Sequence, residues 1–217
     1  MHHGREMKFP WRQTQEPKPT VQQDEPAPSV PLVHRHRSPG LLEVVTALRS
    51  DGQNSVLDLG PAITENLAFF ADKVARMQII DGLCRDESDG SIDSVSNTLS
   101  DLLLSGVSTF DLVLAWDVLD YLSMERVSVV VDLLAQLCRP DARLHMIVSG
   151  TGTMPDLPTR YRIIDGENLS YENATHDVVG APTRTPGIVE KMLEGFRIEH
   201  CFVLRHGVHE YVAARRA

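Results

Sequence analysis

Hydrophobic and polar residues alternate in blocks along the chain, and the blocks predict strands and helices in turn. Short apolar runs that stop at Gly, Pro or Asp are typical of buried strands. Such runs cover residues 55–60, 77–80, 110–116 and 143–148. Apolar residues at helical spacing, which predict helices with one buried face, occupy residues 41–48, 64–75, 125–137 and 186–193. This order is typical of a parallel sheet covered by helices on both sides.

The last part of the pattern changes the topology. Two β-rich runs, residues 197–204 and 208–213, flank the turn His206-Gly207 and predict an antiparallel hairpin. The predicted fold class is therefore α/β, with a doubly wound, mostly parallel sheet and a C-terminal antiparallel hairpin. Residues 151–186 interrupt the alternation with four prolines, and we expect them to form a surface excursion.

The N-terminal segment shows neither the helical nor the strand pattern of apolar residues. Residues 1–39 hold 7 of the 13 prolines, mixed with Gln, Glu, Lys and Thr, which predicts a disordered, proline-rich tail. The folded domain is predicted over residues 40–217, a length that suits one domain. A protein partner that docks on the tail is one expectation for this segment.

Charge and composition exclude several classes of partner. Residues 1–39 carry 6 Lys and Arg against 4 Asp and Glu, so of the totals of 21 and 30 the rest of the chain holds 15 against 26. A domain this acidic repels phosphate backbones, which makes nucleic acid an unlikely partner. No apolar run approaches the ~20 residues that cross a bilayer, so we expect no membrane span and a cytoplasmic protein. The three cysteines and nine histidines have no metal-ligand or disulfide spacing, and no metal is predicted.

Acidic residues and glycine stand where three of the predicted strands end. The first strand runs into Asp58-Leu59-Gly60, the next into Asp81-Gly82, and the strand over 110–116 is followed by Asp117, Asp120 and Tyr121. Because the carboxyl ends of parallel strands meet at one edge of a sheet, these residues are expected to line a ligand crevice there.

This order of elements and motifs resembles the class I S-adenosylmethionine-dependent methyltransferases, whose last strand inserts antiparallel into an otherwise parallel sheet. The resemblance covers residues 41–217. Its most specific match is the run from Phe110 to Leu122, and the segment from Thr185 to Ile198 resembles the helix and Gly-Phe step before the hairpin. The resemblance implies S-adenosylmethionine as cofactor and methyl transfer to a small molecule or a protein side chain.

The resemblance also implies site residues. Cofactor contacts are expected from Asp58, Gly60, Pro61, Ala62, Asp81, Gly82, Asp93 and Asp117. Asp81 would accept the ribose hydroxyls, and Asp93 is the nearest candidate to contact the adenine amino group. Asp120 and Tyr121 are the candidate catalytic residues if the reaction needs a base. Each also has a structural interpretation, since Asp81 could cap a turn, Tyr121 could pack, and Asp93 could lie in a solvated loop.

The glycine loop departs from the family pattern of acidic-x-Gly-x-Gly-x-Gly. In residues 58–64 only Gly60 of the three glycines is present. Ala62 adds a Cβ that faces the ligand, Pro61 removes an N–H, and Thr64 could serve as the helix N-cap. A second hypothesis follows, a non-catalytic methyltransferase-like protein that acts as a binding or regulatory module. A third, an NAD-dependent dehydrogenase, lacks the G-x-G-x-x-G fingerprint.

Overall fold

The computed structural model describes residues 34–81, 92–106, 109–173, 175 and 177–217, together with Met1. Its strands are β1 (His34–Arg37), β2 (Asn54–Asp58), β3 (Val74–Ile79), β4 (Phe110–Trp116), β5 (Cys138–Ser149), β6 (Thr153–Pro155), β7 (Arg160–Ile163), β8 (Asn168–Glu172), β9 (Val178–Gly180), β10 (Phe196–Val203) and β11 (Val208–Arg215). Its α-helices are α1 (Pro39–Thr46), α2 (Thr64–Phe70), α3 (Ile92–Leu104), α4 (Met124–Leu137) and α5 (Pro186–Met192). Short 3-10 turns cover Val118–Tyr121 and Arg205–Gly207.

The central sheet has the strand order β10-β11-β5-β4-β2-β3. Strands β3, β2, β4 and β5 are parallel to one another, and β11 is antiparallel to both of its neighbours, β5 and β10. The last strand is thus inserted between two earlier ones. This order confirms the predicted α/β class, the mostly parallel sheet and the C-terminal antiparallel hairpin.

Helices cover both faces of the sheet. On one face α3, α4 and α5 bury a cluster that includes Val113 and Ala115 of β4. On the other face α1 and α2 bury a second cluster, to which the same strand contributes Leu114 and Trp116. The alternation along β4 follows from the two-residue period of a strand, and it explains why the strand reads as a continuous apolar run.

The predicted excursion over 151–186 contains small sheets of its own. Strands β7 and β8 pair with each other, β8 pairs with β1, and β6 pairs with β9. The structure differs here from the predicted tail over 1–39, because residues 34–37 form β1 with His34 opposite Tyr171. A four-residue strand of His and Arg shows no apolar alternation, so only its partner in the distant excursion identifies it.

The helix starts follow the capping rules at most positions. Ser38 and Thr185 cap α1 and α5, each followed by a proline, and Ser123 caps α4. Helix α2 is different, because it begins at Thr64 with Ile63 in the cap position and no side-chain cap. Thr64 is therefore not the N-cap that the loop pattern allowed. Among the described helices none is long and apolar enough to cross a bilayer.

Candidate functional site

The carboxyl ends of β2 and β4 are joined by a buried contact between Asp58 and Trp116. Asp58 Oδ1 accepts hydrogen bonds from the Trp116 indole N–H and from the Gly60 backbone N–H, both at 2.8 Å. Burial raises the pKa of Asp58 to about 6, although both hydrogen bonds act in the opposite direction. A Cβ placed on Gly60 would lie 2.8 Å from Trp116 Cδ1, so the space beside the glycine is filled by the indole.

Trp116 is held from its other side by the excursion. Its ring stacks on Tyr161 of β7, with centroids 5.3 Å apart and planes 12° from parallel. Only 2% of Trp116 is exposed, and its φ of 45° lies in the left-handed region, which costs a non-glycine residue roughly 1–2 kcal/mol. The indole is therefore enclosed between the glycine loop and β7.

Asn66 of helix α2 fixes β7 in this position. Its side-chain amide donates to the Tyr161 carbonyl at 3.0 Å, and its Oδ1 accepts from the Ile163 N–H at 2.8 Å. Asn66 is itself buried, at 1% exposure. A buried amide that satisfies two backbone groups of another segment makes a specific attachment, since leaving those groups unpaired would be costly.

A smaller cavity, of about 340 Å³, lies beside the glycine loop. The glycine loop, the first turn of α2, Asp81 and strand β7 line this cavity. The lining residues are Pro61, Ala62, Ile63, Thr64, Glu65, Asp81, Arg160 and Arg162. Asp81 is exposed, so its carboxylate is accessible from solvent. Arg162 is neutralised by Glu172 at 2.7 Å and lies 3.7 Å from Glu65. The structure thus brings Asp81 together with Pro61 and Ala62, as the sequence predicts.

A larger cavity, of about 690 Å³, lies at the ends of β4 and β5. Asp117, Asp120, Tyr121 and Tyr161 line it, together with β1 and part of the excursion. This cavity contains the candidate catalytic residues, which the sequence placed at the exit of β4.

The two carboxylates of the larger cavity differ in their partners. Asp117 Oδ2 accepts from the Thr159 N–H at 3.1 Å, while its buried Oδ1 has no hydrogen-bond partner in the described part of the chain. Burial is the main cause that raises the pKa of Asp117 to about 7, and the nearby Asp120 adds to it. Asp120 accepts from the Ser149 N–H at 2.7 Å and lies 3.4 Å from Arg184 Nε. Burial raises its pKa to about 6.

Tyr121 and Arg184 hold the exit of β4 in shape. The Tyr121 hydroxyl donates towards the carbonyls of Leu157 and Pro155, at 2.8 and 3.1 Å, and burial raises its pKa above the ordinary value. The buried Arg184 guanidinium donates to the carbonyls of Leu119 and Leu122. Tyr121 thus fastens the excursion, and Arg184 fastens the 3-10 turn.

Two predicted cofactor contacts, Gly82 and Asp93, have no described side-chain environment. Gly82 lies outside the described residues. Asp93 lies in α3, and its side chain is not among those described. The sequence did not identify Trp116 and Asn66 as site residues, whereas Tyr161 belongs to the excursion that it did predict. The sequence offers one indication for Trp116, which is that a large aromatic residue occupies the last position of β4, at the carboxyl edge of the sheet.

The residues fit S-adenosylmethionine unequally. The smaller cavity, with Asp81 on its wall, suits a ribose, because a carboxylate can accept both ribose hydroxyls. The space against Gly60 is filled by Trp116 in this conformation, so backbone and ligand cannot come close there.

Comparisons with known proteins give weak likenesses. No family model matches the chain, and no curated protein matches it. Among solved structures, the 1,6-didemethyltoxoflavin-N1-methyltransferase of Burkholderia thailandensis, with bound 1,6-didemethyltoxoflavin and S-adenosylhomocysteine, is 19% identical at a TM-score of 0.47 and covers 83% of this chain and 80% of its own.

Two other solved structures give similar values. The N-methyltransferase NodS of Bradyrhizobium japonicum WM9 is 13% identical at a TM-score of 0.45, covering 82% of this chain and 94% of its own. The PH0226 protein of Pyrococcus horikoshii OT3 is 14% identical at 0.47, covering 81% and 88%. Likenesses this weak do not assign a function to the chain. A function therefore has to be argued from the residues of the chain itself. S-adenosylmethionine-dependent methyltransferases are among the solved structures that this chain resembles.

Proposed function

We propose that this chain is an S-adenosylmethionine-dependent methyltransferase that acts on a small molecule. The observation that carries the proposal is the pair of cavities at the carboxyl edge of the sheet, one with Asp81 on its wall and the other with Asp117 and Asp120. Strand β7 lies between them, since Arg160 and Arg162 line the smaller cavity and Tyr161 lines the larger.

In this proposal the smaller cavity holds the nucleoside of the cofactor, with Asp81 on the ribose. Gly60, Pro61 and Ala62 form the loop beside it, and Asp58 shapes that loop through the Gly60 N–H. When bound, the cofactor supplies an already activated methyl group, so the protein mainly has to align the reactants and exclude water.

The larger cavity would hold the methyl acceptor. A volume of about 690 Å³ lies within the usual range for small-molecule sites. A carboxylate whose pKa lies near 7 is suited to accept a proton from an acceptor group at neutral pH, and Asp117 is such a carboxylate on the lining of the larger cavity. Asp120 and Tyr121 remain predicted catalytic residues, with Tyr121 also holding the excursion.

Isothermal titration with S-adenosylhomocysteine tests the proposal. We expect saturable binding by the wild-type chain and a loss of at least about tenfold in affinity for Asp81→Ala, because the ribose hydroxyls lose their acceptor. Asp132→Ala is the matched control, since Asp132 is an exposed carboxylate on α4 that lines neither cavity. Binding that is equally weakened by both variants would contradict a ribose site at Asp81.

A second candidate function is favoured by the indole that fills the space against Gly60. In this alternative the chain binds a ligand or a protein without the cofactor, and Trp116 belongs permanently to the core. The alternative predicts no heat and no thermal shift with S-adenosylhomocysteine at millimolar concentration, for the wild type and for any variant at Trp116. Binding by either would exclude it.

A further inference from the structure

Strand β7 contributes to both cavities, and its Tyr161 stacks on the buried Trp116. The Nε1–Cδ1 edge of Trp116 lies against Asp58 and Gly60, and a face of its ring stacks on Tyr161. Tyr161 lines the larger cavity, whereas Arg160 and Arg162 on the same strand line the smaller. A ligand that reaches from Asp81 to Asp117 therefore has to pass β7, which carries Tyr161 and its stack on Trp116.

S-adenosylmethionine is a ligand of this kind. Its nucleoside is joined directly to the sulfonium that carries the methyl group, so a nucleoside at Asp81 and an acceptor beside Asp117 require one continuous space. The closed arrangement does not offer that space, because the indole occupies the surface of Gly60.

The closed arrangement is held by contacts that can be exchanged. The backbone of Trp116 adopts a left-handed conformation with φ of 45°, which is unfavourable for a large side chain and persists only where surrounding contacts impose it. The contacts described for the indole are the hydrogen bond to Asp58, the stack on Tyr161 and an edge contact with His145. Strained residues of this kind cluster at ligand clamps and switch segments.

We propose that Trp116 is a gate between the two cavities, closed in this structure, which leaves Asp58 and Gly60 when the cofactor binds. The proposal rests on the proposed function. In the closed state Asp58 and Gly60 face the indole, and in the open state the same two residues face the ligand. Apparent affinity for the cofactor is then reduced by the fraction of molecules that are open.

Substitution at Trp116 tests the gate by titration with S-adenosylhomocysteine. If at most about a tenth of the molecules are open, Trp116→Ala should bind at least about tenfold more tightly than the wild type. Trp116→Phe, which keeps a ring but loses the indole N–H, should lie between them. Phe196→Ala is the control for general loosening, because Phe196 is a buried aromatic of the opposite core that lines neither cavity.

A fluorescence measurement needs no change at the gate itself. The chain contains two tryptophans, Trp11 and Trp116, so Trp11→Phe leaves Trp116 as the only reporter. We expect its emission to shift to longer wavelength, and acrylamide quenching to increase at least about twofold, when S-adenosylhomocysteine saturates the protein, since the indole moves from a buried stack towards solvent.

The outcomes separate the gate from the proposed function. Tighter binding by Trp116→Ala together with the red shift supports the gate. Saturable binding by the wild type with unchanged emission, or with weaker binding by Trp116→Ala, overturns the gate and leaves the proposed function standing. No binding by the wild type, by Trp116→Ala or by Trp116→Phe overturns both.

Discussion

At the scale of single residues, the carboxylates at the strand ends are the most informative groups. Asp58, Asp117 and Asp120 are all buried, and each has a raised pKa. Their partners differ, however. Oδ1 of Asp58 is occupied by an indole and a backbone N–H, Asp120 lies beside Arg184, and Oδ1 of Asp117 is buried without a described partner.

Asp117 should make the stability of the chain depend on pH. An unfolded aspartate releases its proton near pH 4, whereas folded Asp117 does so at about 7, so the folded state binds more protons between these values. Its contribution to stability is therefore present below about pH 4 and is lost as the pH rises towards 7. We therefore expect the free energy of unfolding to fall by about 2–3 kcal/mol more in the wild type than in Asp117→Asn between pH 5 and pH 8.

Urea unfolding of both proteins at pH 5 and pH 8 measures this difference. Asp132→Asn is the control, because the exposed Asp132 carboxylate has no such environment. If Asp117→Asn and the wild type lose the same stability between the two pH values, the buried carboxylate is not the cause.

Gly60 should be intolerant of even one added methyl group. A Cβ there would lie 2.8 Å from Trp116 Cδ1, and overpacking of a buried contact costs about 1–3 kcal/mol in free energy of unfolding. Gly187→Ala is the control, since a Cβ at Gly187 meets no atom within 4 Å. Chemical denaturation of the two single variants and of the double variant Gly60→Ala, Trp116→Ala measures the coupling. If Gly60→Ala destabilises the Trp116→Ala variant as much as it destabilises the wild type, the proposed clash between the added methyl group and the indole is contradicted.

At the scale of elements, the attachment of β7 to α2 decides the shape of the site. The sequence placed a surface excursion over 151–186, and long loops in compact domains are often functional. It did not reveal that one strand of this excursion packs on the first turns of α2, because a hydrogen bond between Asn66 and the backbone of residues 161–163 has no local signature.

Asn66→Ala should loosen β7 without unfolding the central sheet. The substitution leaves the Ile163 N–H and the Tyr161 carbonyl without their buried partner, which costs about 2–4 kcal/mol for the pair. Amide hydrogen exchange should become faster at Ile163 than in β5, which is central and paired on both sides. Asn97→Ala is the control at an exposed position of α3, and it should leave the exchange rates at Ile163 and in β5 unchanged. Uniformly faster exchange across β5 and β7 would instead indicate global destabilisation.

The elements themselves were largely predictable. The apolar runs identified β2, β4 and β5, because a buried parallel strand has to be apolar on both faces. The Ser-Pro and Thr-Pro pairs predicted where α1 and α5 begin, because the first residue caps the helix and the proline suits its first position. Helix α2, in contrast, ends at Phe70 rather than near residue 75, since the apolar residues that seemed to continue it belong to β3, which begins at Val74.

At the scale of the whole molecule, the sequence predicted the sheet and the edge at which both cavities lie. It could not predict the contents of that edge. The positions of Asp58, Asp81 and Asp117 follow from strand ends, which are local features. The enclosure of Trp116 depends on a residue 58 positions earlier in the chain and on a strand from the excursion, and such long-range contacts leave no periodic trace.

The insertion of β11 between β5 and β10 also constrains the order in which the sheet can form. Strand β10 precedes β11 in the chain, yet its partner in the central sheet is β11. Strand β10 can therefore join the sheet only together with residues 208–215 or after them. Until β11 is in place, the edge of β5 that faces it remains open to pairing with a strand of another molecule.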